Sequence, residues 1–392
     1  MTPSNRIRSL DRLRAFVVLC VIVLHASLTY MVAAPEWWYV VEPQGNLFFT
    51  ALVLLLDVPI MPIMFFAAGY FALPSLLKRG PGQFHRDKLL RIGLPWAFGV
   101  LVIAPPVTYL TYLSCGVDMT LWQFWRTDFW GDMYQQAVYW FLGVLLMLFA
   151  ATVVFYDAPA RRKSLTLQPS SPSAAFLAAF VGLTAAAFLL LNQYYPLDTW
   201  LKLGYLLVIQ PLRLPLYIAY FGLGLYAYRH AWFAPPPSVA ESEEQSCSDE
   251  GRGFQPRLDT WALGAAAFGL LYVSYRLTYP PEVQTTLGLQ AANAVLFNAF
   301  CFSSLLAGVA WFSRQALTPS RLWKQLAANS YGMYYLHPLL VYPLAYLFLG
   351  LSLPVVAKAA LLVGLSIALS WAASEYVLRR APLLRRIFGA AD

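Results

Sequence analysis

Charge is what this sequence has least of. Asp, Glu, Lys and Arg make up 12% of its 392 residues, about half the ~25% usual in a soluble domain. Hydrophobic residues make up 59%, and the mean hydropathy is +0.57. A soluble core cannot hide that much apolar surface, so the chain reads as an all-α polytopic membrane protein with no large soluble domain. Cysteine is also scarce. Cys20, Cys115, Cys247 and Cys301 form no CxxC or other ligand spacing, which points to no metal site and no disulfide framework. GxSxG, HExxH and GxxxxGK[ST] are missing, which argues against a serine-hydrolase elbow, a metalloprotease and an NTPase.

Long apolar runs take the place of these features. A bilayer core of about 30 Å needs about 20 apolar helical residues. Such runs lie at 14–34, 47–77, 92–113, 136–156, 173–192, 204–227, 259–276, 289–312, 326–349 and 355–377, which predicts about ten spans. The second run is too long for one straight crossing and holds Pro59 and Pro62, so a kink or break is expected there. The first run, preceded by Arg6, Arg8 and Arg12 and opening on Arg14, reads as a retained signal anchor.

The net charge of +8 does not form a nucleic-acid face. Of the 27 Lys and Arg residues, all but Arg126, Lys202, Arg213, Arg276 and Lys358 fall on one side of the ten-span arrangement. That asymmetry predicts both termini in the cytoplasm. The whole chain, 1–392, then forms one transmembrane domain. Within it, 229–258 carries APPPS and AESEEQSCSDEG and reads as a disordered cytoplasmic linker. On the far side, residues 114–136 are rich in Trp, Phe and Asp, which suits an interfacial aromatic belt or a cover over an external sugar-binding cleft.

Ionisable residues inside spans are expensive and mark candidate sites. Counting 1.5 Å per residue, His25, Asp57, Arg213 and His337 all fall about 14–16 Å into their spans. Two histidines, a carboxylate and an arginine would thus share one depth. A neutral histidine near its ordinary pKa takes a proton from a hydroxyl and returns it later, so group transfer onto an alcohol is the favoured chemistry. The structural alternatives are helix–helix hydrogen bonding for His25, satisfaction of the Pro338 break for His337, and simple pairing for Asp57 with Arg213. A transporter or exporter with a proton relay or anion site is the rival class. Inverted repeats, which would favour it, are not evident. On the cytoplasmic side, 78–95 gathers Lys78, Arg79, Arg86, Lys88 and Arg91, a cluster suited to the phosphates of a nucleotide-like donor.

Three stretches carry a resemblance. LDRLRAFVVLCVIVLHA at 10–26, MFFAAGYFALPSLLKRGPGQFHRDKLLRIGLPW at 64–96 and NSYGMYYLHPLL at 329–340 resemble the integral-membrane acyltransferase type 3 family, and among its members most closely the osmoregulated periplasmic glucan succinyltransferases. The resemblance implies a multi-pass protein of the cell inner membrane. It would take acetyl- or succinyl-CoA as co-substrate, hold no permanent cofactor, and acylate a glycan or another hydroxyl acceptor. The implied catalytic set is His25 as base with Arg14, His337 and Asp57. The implied donor contacts are Arg79, Arg86, Lys88 and Arg91, and the implied substrate contacts are Arg213, Tyr334, Ser330 and Glu36. Where the family commonly shows two arginines three apart, this chain has Lys88 and Arg91. Lysine keeps the charge but lacks the bidentate fork.

Overall fold

A computed structural model describes residues 8–32, 40–156, 170–232, 254–315 and 318–388. Glu36, Arg161, Arg162, Lys163 and most of the predicted linker lie outside the described residues. The first helix, α1 (Arg8–Leu28), starts earlier than expected and stops earlier. Its charged start belongs to the helix because the Arg12 guanidinium donates to the Gln315 and Thr318 carbonyls. Gln315 ends another helix and Thr318 N–H turns back onto its carbonyl at 3.1 Å, a tertiary contact that hydropathy alone cannot foresee. A turn at Thr29–Tyr30, with Tyr30 N–H on Ser27 O at 3.0 Å, closes α1.

The next helix, α2 (Leu47–Arg79), opens on Asn46, whose side chain accepts the Phe48 N–H. It runs on through Pro59, Pro62 and Pro74 as one helix, so of the expected kink or break the break does not occur. Gly80, at φ 74°, ends it, and Pro81 opens the next helix, the usual order of a stop followed by a start. The segment 78–95 is therefore largely helical rather than a loop. It comprises α3 (Pro81–Lys88) and a π-helical turn, Leu89–Gly93. Helices α4 (Leu94–Phe98) and α5 (Ala104–Ser114) follow.

Beyond α6 (Leu121–Thr127) come α7 (Trp140–Tyr156) and α8 (Ala174–Asn192). The expected span at 204–227 begins instead as a hairpin, β1 (Leu201–Leu203) and β2 (Leu207–Ile209), paired Lys202 with Val208. Helix α9 then starts at Leu214 and ends at Arg229. A short apolar run between turn signals does not tell strand from helix, and Pro211 and Pro215 here delay the helix. The remaining helices are α10 (Leu258–Thr278), α11 (Leu287–Gln315), α12 (Arg321–Leu336), α13 (Pro338–Leu349), α14 (Val355–Ala373) and α15 (Pro382–Phe388).

Among the described residues, six helical stretches are long and apolar enough to cross a membrane by length and composition. The protein is thus an all-α multi-pass membrane protein with one small hairpin. At its centre α1 packs against α2, α11, α12 and α14, and these neighbours bury most of its length. The closest approach is between α2 and α9. A methyl group on Gly69 would stand 2.0 Å from Phe221 O, and one on Gly224 would stand 2.2 Å from Phe66 O. Small residues let helix backbones touch in this way.

Lys358 and Glu42 form a buried ion pair at 2.9 Å, with side chains 5% and 7% exposed. The pair fastens the segment before α2 to the start of α14. Lys358→Met should strand the Glu42 carboxylate and destabilise the fold by about 3–5 kcal/mol. Thermal unfolding in detergent reads the effect, and Glu42→Gln added to it should restore most of the loss.

Candidate active site

Helices α1 and α12 lie side by side, and this brings together two rings from opposite ends of the chain. His25 sits in the last turn of α1, and His337 is the junction residue between α12 and α13. Their ring centroids are 4.9 Å apart, with planes inclined at 45°. His25 Nδ1 lies 2.8 Å from Val21 O and His337 Nδ1 lies 2.6 Å from Tyr334 O. A carbonyl oxygen only accepts, so Nδ1 carries hydrogen in both rings, and in the neutral tautomer Nε2 keeps its lone pair. The Tyr334 carbonyl is available because Pro338, four residues on, has no N–H to give it. His337 is fully buried, and its Nε2 has no hydrogen-bond partner among the described residues.

Beside this pair lies a cavity of about 480 Å³. His25, Asp57, Arg213, Tyr217, Tyr272 and Arg276 face into it. Arg213 precedes the first turn of α9 rather than lying deep within a span, and its guanidinium meets Asp57 Oδ2 at 2.5 Å. It also hydrogen-bonds Tyr217 and lies over the Phe297 ring at 5.4 Å. Arg276 donates from Nη1 to Tyr272 Oη at 3.1 Å.

Further lining comes from Asp198, Trp200 and Gln210, which flank the hairpin, and from Gln135, Ala137, Val138 and Trp140 around the start of α7. Lys202 Nζ donates to Asp132 O at 2.5 Å, Tyr134 Oη to Tyr205 O at 2.7 Å, and Gln136 Nε2 to Leu206 O at 3.1 Å. These bonds tie the hairpin to the segment before α7, and Gln135, Trp140 and Trp200 line the cavity, with the two indoles 5.3 Å apart. Of the predicted quartet, His25, Asp57 and Arg213 line one cavity and His337 packs against His25; they come from a helix end, the side of α2, a helix start and a helix junction.

Residues 7–375 match the acyltransferase type 3 family, Acyl_transf_3, described as an acyltransferase domain. The chain belongs to that family. No curated protein and no solved structure gives a match. The protein is therefore a membrane acyltransferase, and it needs an acyl donor and an acceptor.

For an acyltransferase the second cluster of predicted residues matters as much as the cavity. Arg14, Arg79 and Arg91 all act electrostatically on Lys88, so the α1 arginine joins the cluster on α2, α3 and the π-helical turn. Arg79 is paired with Asp87, and Arg14 lies 3.4 Å from Asp11. The Lys88 ammonium lies 4.0 Å from the Phe149 ring centre and 5.0 Å from that of Phe84, and Arg86 is exposed. Tyr331 Oη donates to Arg91 O at 2.6 Å, the carbonyl that Pro95 leaves without its helical donor.

Two predicted substrate contacts lie elsewhere in the acyltransferase. The Tyr334 hydroxyl donates to Val138 O, and Ser330 Oγ, buried, donates to Ala327 O within its own helix at 3.0 Å. Arg276, Tyr272, Trp140, Trp200 and Gln135 were missed. Arg276 had a signal, being an arginine inside an apolar run away from the other basic residues. The tryptophans, outside the aromatic stretch 114–136, had no signal in the sequence.

Proposed function

We propose that this acyltransferase spans the membrane ten times with both termini in the cytoplasm, and moves an acyl group from cytoplasmic acyl-CoA to a hydroxyl of an extracytoplasmic glycan. The spans would be α1, α2, α3–α5, α7, α8, α9, α10, α11, α12–α13 and α14. The basic cluster then lies at the cytoplasmic end, in line with the positive-inside rule, and the cavity opens towards the other side. Acetyl and succinyl groups are the expected cargo.

The observation that carries the reading is His25 on the cavity wall, with His337 buried against it. With Nδ1–H held by Val21 O, His25 directs the Nε2 lone pair to its remaining hydrogen-bonding side. His25 Nε2 takes the proton of the acceptor hydroxyl as its oxygen attacks the thioester carbonyl. The tetrahedral oxyanion, stabilised by Arg213 on the same cavity, collapses and breaks the C–S bond. The coenzyme A thiolate leaves with the proton that His25 returns. The products are an ester and free coenzyme A. Trp140 and Trp200, which line the cavity, supply faces on which a sugar ring stacks.

The test uses purified protein with acyl-CoA labelled in the acyl group and a periplasmic-type glucan. The expected result is label in an alkali-labile ester on the glucan, with one thiol released per ester. Thioester consumed with no ester formed, or label moved intact across proteoliposomes, would overturn the reading.

A further inference from the structure

The family match ends at residue 375, yet the chain continues into a further helix that docks beside the basic cluster. Helix α15 packs on the π-helical turn Leu89–Gly93. Its anchor is Phe388, 6% exposed, which stacks on Tyr331 at 5.1 Å and 29° and meets Tyr335 at 5.0 Å with the rings tilted by 52°. Those two tyrosines are already tied to the same stretch of backbone, through Tyr331 Oη to Arg91 O and Tyr335 Oη to Pro95 O at 3.0 Å. The Arg91 charge also acts on the Tyr331 hydroxyl. The anchor and the basic cluster therefore share one tyrosine.

Docking by Leu384 and Phe388, one turn apart, leaves Arg385 and Arg386 exposed on the helix that packs against the turn carrying Arg91. Neither pairs with a carboxylate among the described residues, whereas Arg379, just before the helix, is neutralised by Glu375. We propose that α15 is a clasp that adds Arg385 and Arg386 to the phosphate-binding surface of Arg14, Arg79, Lys88 and Arg91, so that the chain's own C-terminal helix helps hold the donor's nucleotide. The proposal rests on the reading that the donor is acyl-CoA. Several phosphates on one ligand reward an extended cationic surface, because each charge-assisted contact adds to the others. Anionic lipid headgroups offer the same chemistry, and the test separates the two sources.

The experiment uses the full chain in detergent, with two donors bearing the same thioester: acyl-CoA, and acyl-pantetheine, which has no phosphates. Arg385→Glu with Arg386→Glu should raise KM for acyl-CoA about tenfold, with kcat within about twofold. KM for acyl-pantetheine should not move. Phe388→Ala, which releases the anchor, should reproduce the same selective rise. An equal rise for both donors would mean the arginines only support the fold, and no rise for either would overturn the clasp alone. A rise seen only in nanodiscs containing phosphatidylglycerol, and not in phosphatidylcholine, would assign the arginines to headgroups and overturn it as well. If the wild-type protein shows no saturable use of acyl-CoA, the donor reading itself fails and the clasp fails with it.

Discussion

His25→Ala is expected to lower kcat for acyl transfer about a thousandfold, within the span usual for loss of a positioned general base, while KM for the acyl donor stays near the wild-type value. The separation follows from the geometry. His25 is on the wall of the 480 Å³ cavity, whereas Arg14 and Lys88, which face the donor's charges in the proposed mechanism, are two or more helical turns away along the fold. Initial rates with saturating acceptor, on protein shown by size-exclusion chromatography to be folded, make the measurement. A wild-type rate from His25→Ala would remove the base from the mechanism. His337→Ala should have a smaller effect, about tenfold, because the residue touches His25 and is not exposed to the cavity. Its main local tie is to the Tyr334 carbonyl.

Gly224→Val is expected to abolish folded protein. The new Cβ would lie 2.2 Å from Phe66 O and 2.7 Å from Tyr70 N, so it meets backbone on both counts and no rotamer change relieves it. The strain should exceed the ~1–3 kcal/mol of ordinary overpacking. The damage would also reach the site, since α2 carries Asp57 and α9 is preceded by Arg213. Forcing the two helices apart separates an ion pair now at 2.5 Å. Gly222→Ala is the control, for a methyl group there meets nothing within 4 Å. Fluorescence-detected size-exclusion after heating should show a wild-type profile for Gly222→Ala and an aggregated one for Gly224→Val. A monodisperse, active Gly224→Val protein would mean that the α2–α9 contact does not position the site.

The parts of the site that were legible in the sequence share one cause. In a chain this apolar, an ionisable residue inside a hydrophobic run stands out against its neighbours, which is how His25, Asp57, Arg213 and His337 were found. What the sequence concealed depends on tertiary partners. The prolines of α2 suggested a kink or break because their local penalty is known, but α2 continues as helix through them, packed against α9 from far along the chain. Arg12 looked like a topological charge outside the membrane, yet it closes the end of α11 through two carbonyls. The hairpin at 201–209 was absorbed into a helical span because hydropathy carries no information on strand pairing. Nothing in the sequence marked Trp140 and Trp200, which lie outside the aromatic stretch 114–136 and line the cavity only through the fold.

Helix α1 has Arg14 at the basic cluster and His25 at the cavity. In the proposed mechanism it acts as a gauge. A donor anchored by its charged end must project its reactive carbonyl across the ~16 Å of helix between those residues. An acyl group on a long flexible arm, such as pantetheine, meets that requirement. An acyl phosphate, with its carbonyl next to its charge, would bind at the same arginines and never reach the base. Selection among acyl donors would then rest on reach as much as on affinity.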